Sequence, residues 1–141
     1  MSTDLIVYLL TALAAVVIVL TRLRLGHDEG GAGRFQVGHA LVNLHTTAGV
    51  VALVTWLLFL IADDSSPLGS PTVGIVALFF WWVVVFAGLL ILVRWMPSHG
   101  RHAQTAKEDT WSEGPGLSVL AHVGMLVGVC VFTWAYLTSA V

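Results

Sequence analysis

Charge is the scarcest property of this sequence. Only 10% of its 141 residues are Asp, Glu, Lys or Arg, whereas a soluble domain carries about 25% because its surface must face water. Hydrophobic residues make up 57% of the chain. The charged surface of a soluble domain is therefore missing, and the outside of the fold must meet lipid or another apolar protein.

The other absences exclude whole classes of function. Cys130 is the only cysteine, so no disulfide can form within the chain. The net charge is only −2, and no basic stripe accompanies the aromatic residues, so nucleic acid is not an expected partner. The sequence has no Gly-rich phosphate loop, HExxH zinc motif or Ser-His-Asp arrangement. The chemistries that depend on these motifs are therefore set aside.

Four uncharged segments are long enough to cross a bilayer, whose core of about 30 Å needs about 20 apolar residues in a helix. Lipid offers the backbone no hydrogen-bond partners, so we expect helices, and the continuous apolar runs lack the alternation of barrel strands. The sequence predicts an all-α integral membrane protein, with residues 1–141 forming one up-down bundle of four transmembrane helices. The predicted spans are Leu5–Thr21, Phe35–Ala62, Thr72–Val93 and Leu117–Val141.

The distribution of Lys and Arg predicts the orientation of the bundle. All six of these residues lie between the first and second spans or between the third and fourth: Arg22, Arg24, Arg34, Arg94, Arg101 and Lys107. The positive-inside rule places both connections in the cytoplasm, and both termini then face away from it. The chain has five Arg against one Lys and abundant Ala, Val, Gly and Leu, a composition typical of GC-rich bacteria, so we expect the inner (plasma) membrane of a bacterium.

Constant offsets along the chain raise the hypothesis of a tandem duplication of a two-helix hairpin. Residues 15–22 align with residues 87–94 at an offset of 72, and His45 aligns with His122 at an offset of 77. Two such halves would be related by an axis along the membrane normal. The alternative is chance, because apolar segments of limited alphabet align easily.

His45 and His122 form the first candidate site. Ionisable side chains at membrane depth are uncommon and usually face a bundle interior or a cavity. The two histidines lie on spans predicted to run in the same direction, at depths that differ by about 3 Å. Two imidazoles at one level can hold a b-type haem iron from both sides. The alternative is that each imidazole hydrogen-bonds a neighbouring carbonyl or hydroxyl and serves packing.

Two weaker features accompany the histidine pair. His39 and Asn43 lie four residues apart and form a polar stripe, which either binds a quinone or lipid headgroup or joins neighbouring helices. Gly124 and Gly128 form a small-xxx-small motif, which predicts close packing of another helix on the fourth span. Three loop histidines, His27, His99 and His102, lack the tight spacing of metal ligands. No metal is therefore expected beyond a haem iron.

These features leave two unequal hypotheses of function. The last three spans contain no Asp, Glu, Lys or Arg, which counts against a proton-coupled transporter. The leading hypothesis is a non-catalytic accessory or scaffold subunit of a larger bacterial membrane complex, whose partners are the lipid bilayer and other membrane subunits. The alternative is an electron-transfer subunit that holds haem b on His45 and His122 and exchanges electrons with quinone. A homo-oligomeric channel or carrier ranks third.

Overall fold

The computed structural model describes residues 2–26, 38–63, 65–95 and 116–141, and these residues form helices and no strand. A short 3-10 helix at Pro67–Gly69 connects the second and third α-helices. Each α-helix contains a stretch that is long and apolar enough to cross a membrane. An all-helical fold with four candidate spans is therefore confirmed. The α-helices are α1 (Thr3–Gly26), α2 (His39–Ile61), α3 (Pro71–Trp95) and α4 (Gly116–Leu137).

Local backbone chemistry sets the helix ends. Gly38 is the extended N-cap of α2, so this helix begins at His39. The fourth helix ends at Leu137 and does not continue to Val141 as predicted. Ser139 has a φ of 51°, the Ser139 amide donates to the Tyr136 carbonyl, and the Ala140 amide donates to the Ala135 carbonyl. These two hydrogen bonds form a Schellman motif, which terminates the helix.

Polar contacts near both ends of α1 and α2 show that these helices run in opposite directions. The Tyr8 hydroxyl donates to the Leu60 carbonyl, and the Arg22 guanidinium donates to Asn43 Oδ1 at 2.7 Å. The Trp56 indole donates to Thr11 Oγ1 between them. Helices α2 and α3 follow each other through a tight turn and make the most extensive helix contact of the structure.

Helices α2 and α4 run in the same direction and meet through side chains in the core. Phe59 contacts Tyr136, with ring centroids 5.7 Å apart, and Trp56 contacts Phe132 at 5.1 Å. Trp81 of α3 completes this aromatic cluster by contacting Phe132 at 5.5 Å. The cluster fills the half of the core that lies beside the α2–α3 turn.

The other half of the core lies near the start of α2 and α4 and contains smaller side chains. The segments 27–37 and 96–115 precede α2 and α4 in the chain and contain the loop histidines considered above. Both segments lie outside the described residues. The buried residues between the aromatic cluster and this end include Ala14, Ala48, Ala52, Val84, Val85 and Val129. The described core therefore has an aromatic half and a half of aliphatic side chains of mixed size, which also include Ile18, Ile91, Leu92 and Met125.

Burial agrees with the duplication hypothesis in only one of its two alignments. At the offset of 77, buried positions of α2 coincide with buried positions of α4: His45 with His122, Ala48 with Met125, and Ala52 with Val129. At the offset of 72, buried positions of α1 coincide with exposed positions of α3: Val7 with Phe79, Ala14 with Phe86, and Ile18 with Leu90. Duplication of the whole hairpin stays a prediction, and the comparison of α1 with α3 at the offset of 72 does not support it.

Candidate functional site

The structure brings together the two histidines that the sequence paired. His45 is 1% exposed and His122 is 8% exposed. Their ring centroids lie 6.5 Å apart, with the planes inclined by 44°. Each histidine lies six residues after the first residue of its helix, about 9 Å along the axis. Because α2 and α4 run in the same direction, the two rings reach the same level of the core.

Gly88 of α3 lies against both rings, and sequence reasoning did not find it. A Cβ atom at this position would lie 2.8 Å from Cδ2 of His122 and 3.4 Å from the Nε2 atom of each histidine. The absence of a side chain therefore makes room for the two imidazoles. No sequence signal distinguishes Gly88, since glycine is frequent in membrane helices.

The hydrogen bond of His122 determines which of its nitrogens is free. Its Nδ1 atom lies 2.7 Å from the carbonyl oxygen of Ser118, and a carbonyl can only accept. Nδ1 therefore carries the proton and donates, which leaves a lone pair on Nε2. The Nε2 atom is buried and has no hydrogen-bond partner among the described residues. Metal-ligating histidines use this arrangement, in which a carbonyl fixes the tautomer and the ring orientation.

His45 is held less completely than His122. Its Nδ1 atom is buried without a hydrogen-bond partner in the part of the chain that the structure describes, and its Nε2 atom faces the same point beside Gly88. Leaving a buried polar group unpaired costs about 1–3 kcal/mol. Such a cost is unusual in a residue that serves packing alone, because an apolar side chain of similar size would avoid it.

The spacing of the rings suits a single atom bound between them. Imidazole nitrogens lie about 2 Å from a bound metal, so two rings on opposite sides of one metal have centroids about 6 Å apart. Among the described residues, no three His, Cys, Asp or Glu side chains lie together as a metal site. Two protein ligands are too few for a bare zinc ion, whereas haem iron brings four ligands of its own.

The polar stripe of His39 and Asn43 is separate from the histidine pair. Asn43 accepts the hydrogen bond from Arg22, so it joins α1 to α2. It lies two residues before His45, about 200° around the helix, and is exposed. His39 is exposed as well. The structure thus gives Asn43 a helix-joining contact and brings neither residue to the imidazoles.

Close helix packing occurs at other glycines than those the sequence suggested. No heavy atom lies within 4 Å of a Cβ placed on Gly124 or Gly128, so no described helix packs closely on them. A Cβ at Gly49 would instead lie 2.9 Å from Ile18 Cδ1, and one at Gly74 would lie 2.6 Å from Tyr136 Cε2. The small-xxx-small motif of α4 is therefore not used within the described chain.

Replacing His45 with Leu is expected to leave the stability of the cofactor-free protein unchanged or to raise it, because the substitution removes an unpaired buried nitrogen at similar volume. The measurement is the midpoint of unfolding in a denaturant titration of the detergent-purified protein. Phe132→Leu is the control, and the loss of buried aromatic contacts there should cost about 1–3 kcal/mol. A comparable loss for His45→Leu would show that the histidine serves packing.

Comparisons with known proteins leave the site to be interpreted from its own chemistry. No family model, curated protein or solved structure matches the chain. The function must therefore be argued from the residues of the site and not from a relative.

Proposed function

We propose that the protein is an electron-transfer subunit that binds one haem between His45 and His122 inside a membrane. The observation that carries the proposal is the geometry of the buried pair, with ring centroids 6.5 Å apart and the Nε2 atom of His122 unpartnered. Gly88 supports it, because both Nε2 atoms lie beside a position that has no side chain.

The residues of the site have separate roles in this proposal. The Ser118 carbonyl orients His122 and increases the basicity of its ring, because Nδ1 donates to it. His45 would supply the second nitrogen ligand through its Nε2 atom, which also lies beside Gly88. When bound, haem supplies a one-electron redox centre whose potential depends on its axial ligands and on burial.

We place the protein in the inner membrane as an up-down bundle of four spans. Every Lys and Arg lies in the connections α1–α2 and α3–α4 or at their borders, which the positive-inside rule assigns to the cytoplasm. The histidine pair then lies about 9 Å from the helix ends on the cytoplasmic side. At that depth the partner for electron exchange is a membrane-soluble quinone or a neighbouring subunit.

Absorption spectra test the proposal directly. Protein produced with a haem supply is expected to show a Soret band and a reduced-minus-oxidised α band typical of b haem. His45→Ala and His122→Ala should each lose most of this absorbance, because one axial ligand is removed. His39→Ala is the control, since His39 is exposed and belongs to the same helix as His45. A spectrum without these bands in wild-type protein supplied with haem overturns the proposal.

Gly88→Ala is expected to weaken haem binding by about tenfold, which corresponds to the cost of about 1–3 kcal/mol for overpacking a core. The added methyl group would lie 2.8 Å from His122 Cδ2 and would push the ring away. The measurement is a haem titration of the detergent-purified apoprotein. Gly124→Ala is the matched control, because nothing lies within 4 Å of its new methyl group. Equal affinities of the two variants would contradict the assigned role of Gly88.

A second candidate function is that of an accessory subunit in a larger membrane complex. The observation that favours it is the outer face of α4, where Gly124 is open and Trp134 is 55% exposed. Small residues let another helix approach closely, and no described helix of this chain takes that place.

The accessory function predicts a stoichiometric partner after purification in mild detergent. Gly124→Leu should release that partner, because the larger side chain blocks close approach of a helix. Ala12→Leu is the matched control on α1, where an exposed small residue is also enlarged. Recovery of wild-type protein as a clean monomer or homodimer would contradict this candidate function.

A further inference from the structure

Two imidazole nitrogens of the core lie beside one point on α3. The position that a Cβ atom of Gly88 would occupy is 3.4 Å from Nε2 of His45 and 3.4 Å from Nε2 of His122. Nε2 of His122 is buried without a hydrogen-bond partner among the described residues. Because Nδ1 of the same ring donates to the Ser118 carbonyl, this Nε2 carries a lone pair. An unused lone pair in a buried position is available to a metal ion.

The other unpartnered atoms of the core are not candidate ligands. Among the described residues they are Nδ1 of His45 and Nε1 of Trp81. Ligation through Nε2 assigns the proton of His45 to its Nδ1, because a neutral imidazole carries one N–H. Trp81 lies seven residues before Gly88, about 10 Å along α3, and its indole can only donate. The candidate ligands of the pair are therefore the two Nε2 atoms.

A single ion fits between the imidazoles because it needs no space beyond the gap that separates the two nitrogens. The ring centroids lie 6.5 Å apart, close to the spacing of about 6 Å for two imidazoles on opposite sides of one metal. Gly88 leaves the α3 side of this gap without a side chain. Buried neighbours such as Val84 and Val129 can therefore stay in place when an ion binds.

The lack of acidic side chains favours a monovalent ion. Residues 39–61, 71–93 and 117–137 contain no Asp or Glu, so the spans around the pair offer no negative charge. The free-energy cost of burying an ion rises with the square of its charge. A divalent ion such as zinc would also need more than two protein ligands. Monovalent copper, Cu(I), accepts two or three ligands, and imidazole is a suitable ligand for copper.

A soft ligand lies one helical turn from His122. Met125 follows it by three residues on α4 and is 7% exposed. A long side chain in an α-helix leans toward the helix N-terminus and covers the preceding turn, which here is the turn of His122. The equivalent residue on α2 is the small Ala48, three residues after His45. Thioether sulfur is a ligand that selects Cu(I) over harder ions.

We propose that the haem-free protein binds one Cu(I) ion between the Nε2 atoms of His45 and His122, with the thioether of Met125 as the third ligand. The inference goes beyond the proposed function and does not rest on haem binding. Both occupants use the same imidazoles, so copper and haem exclude each other. All three donors are neutral and one of them is soft, which favours the reduced, monovalent state of the ion.

The test is a titration of the detergent-purified full chain with Cu(I), buffered by a chromophoric chelator and kept free of oxygen. Every protein carries Cys130→Ser, because an exposed thiol also binds Cu(I). His45→Ala and His122→Ala each remove one nitrogen, and Met125→Leu removes the sulfur at similar volume. His39→Ala is the control, since His39 is an exposed histidine of α2. The X-ray absorption spectrum of the bound copper reports its nitrogen and sulfur neighbours.

We expect one tightly bound copper per chain in the Cys130→Ser protein and in its His39→Ala variant. His45→Ala and His122→Ala should each lose this copper. Met125→Leu should bind it about tenfold more weakly, because the loss of even an outer-shell partner costs about 10–100-fold in metal affinity. The same variant should also lose the sulfur neighbour in the absorption spectrum.

Three results would overturn the inference: copper that stays bound without the core histidines, equal affinity of Met125→Leu, or zinc bound as tightly as Cu(I). The outcome is separate from that of the haem titration. Copper binding by a protein that takes up no haem would overturn the proposed function alone. Haem binding by a protein that takes up no copper would overturn this inference alone.

Discussion

The burial of two imidazoles in a core without charged side chains is the constraint on which the rest of the structure depends. A polar ring in such a core must find a partner or accept a free-energy cost. The chain meets this requirement only in part: Ser118 accepts from His122, Gly88 gives both rings room, and one nitrogen of each ring stays unpaired. An apolar pair of the same size would remove that cost. Ligand binding would explain this cost at His122, whose unpaired Nε2 atom is the proposed ligand, but not at His45, whose unpaired atom is Nδ1.

The opposite half of the bundle provides the rigidity that such a site needs. Lipid adds no hydrophobic drive between helices, so association depends on packing and hydrogen bonds. Here the rings of Trp56 and Trp81 both contact the ring of Phe132. The indole N–H groups of Trp56 and Trp82 donate hydrogen bonds to threonines on neighbouring helices. These contacts fix the rotation of each helix about its axis. Since helices are stiff, the rotation set in the aromatic half also determines where the imidazoles point about three turns away.

Sequence reasoning succeeded where a single length or position decides the answer. Four uncharged runs of bilayer length predicted four helices, and similar distances from the preceding charged residues predicted depths within about 3 Å of each other for His45 and His122. It failed where helix rotation decides, because these helices are apolar on all sides and their periodicity does not identify a buried face. Gly88, the Ser118 carbonyl and the unpaired Trp81 N–H therefore came only from the structure. For the same reason the packing predicted at Gly124 and Gly128 is not made by any described helix and stays a prediction, and the alignment at an offset of 72 joined buried to exposed residues.

The two proposed functions use different faces of the same helix and therefore do not compete. His122 faces the core from α4, whereas Gly124 lies about 200° around that helix and is open on the outside. A helix with its side chains is about 10 Å across. A partner subunit packed against Gly124 would thus lie about one helix diameter from the imidazole of His122. In that arrangement the small residue at Gly124 brings the partner close, and the histidine behind it holds the redox centre. An accessory subunit docked through α4 would then be positioned to exchange electrons with its complex.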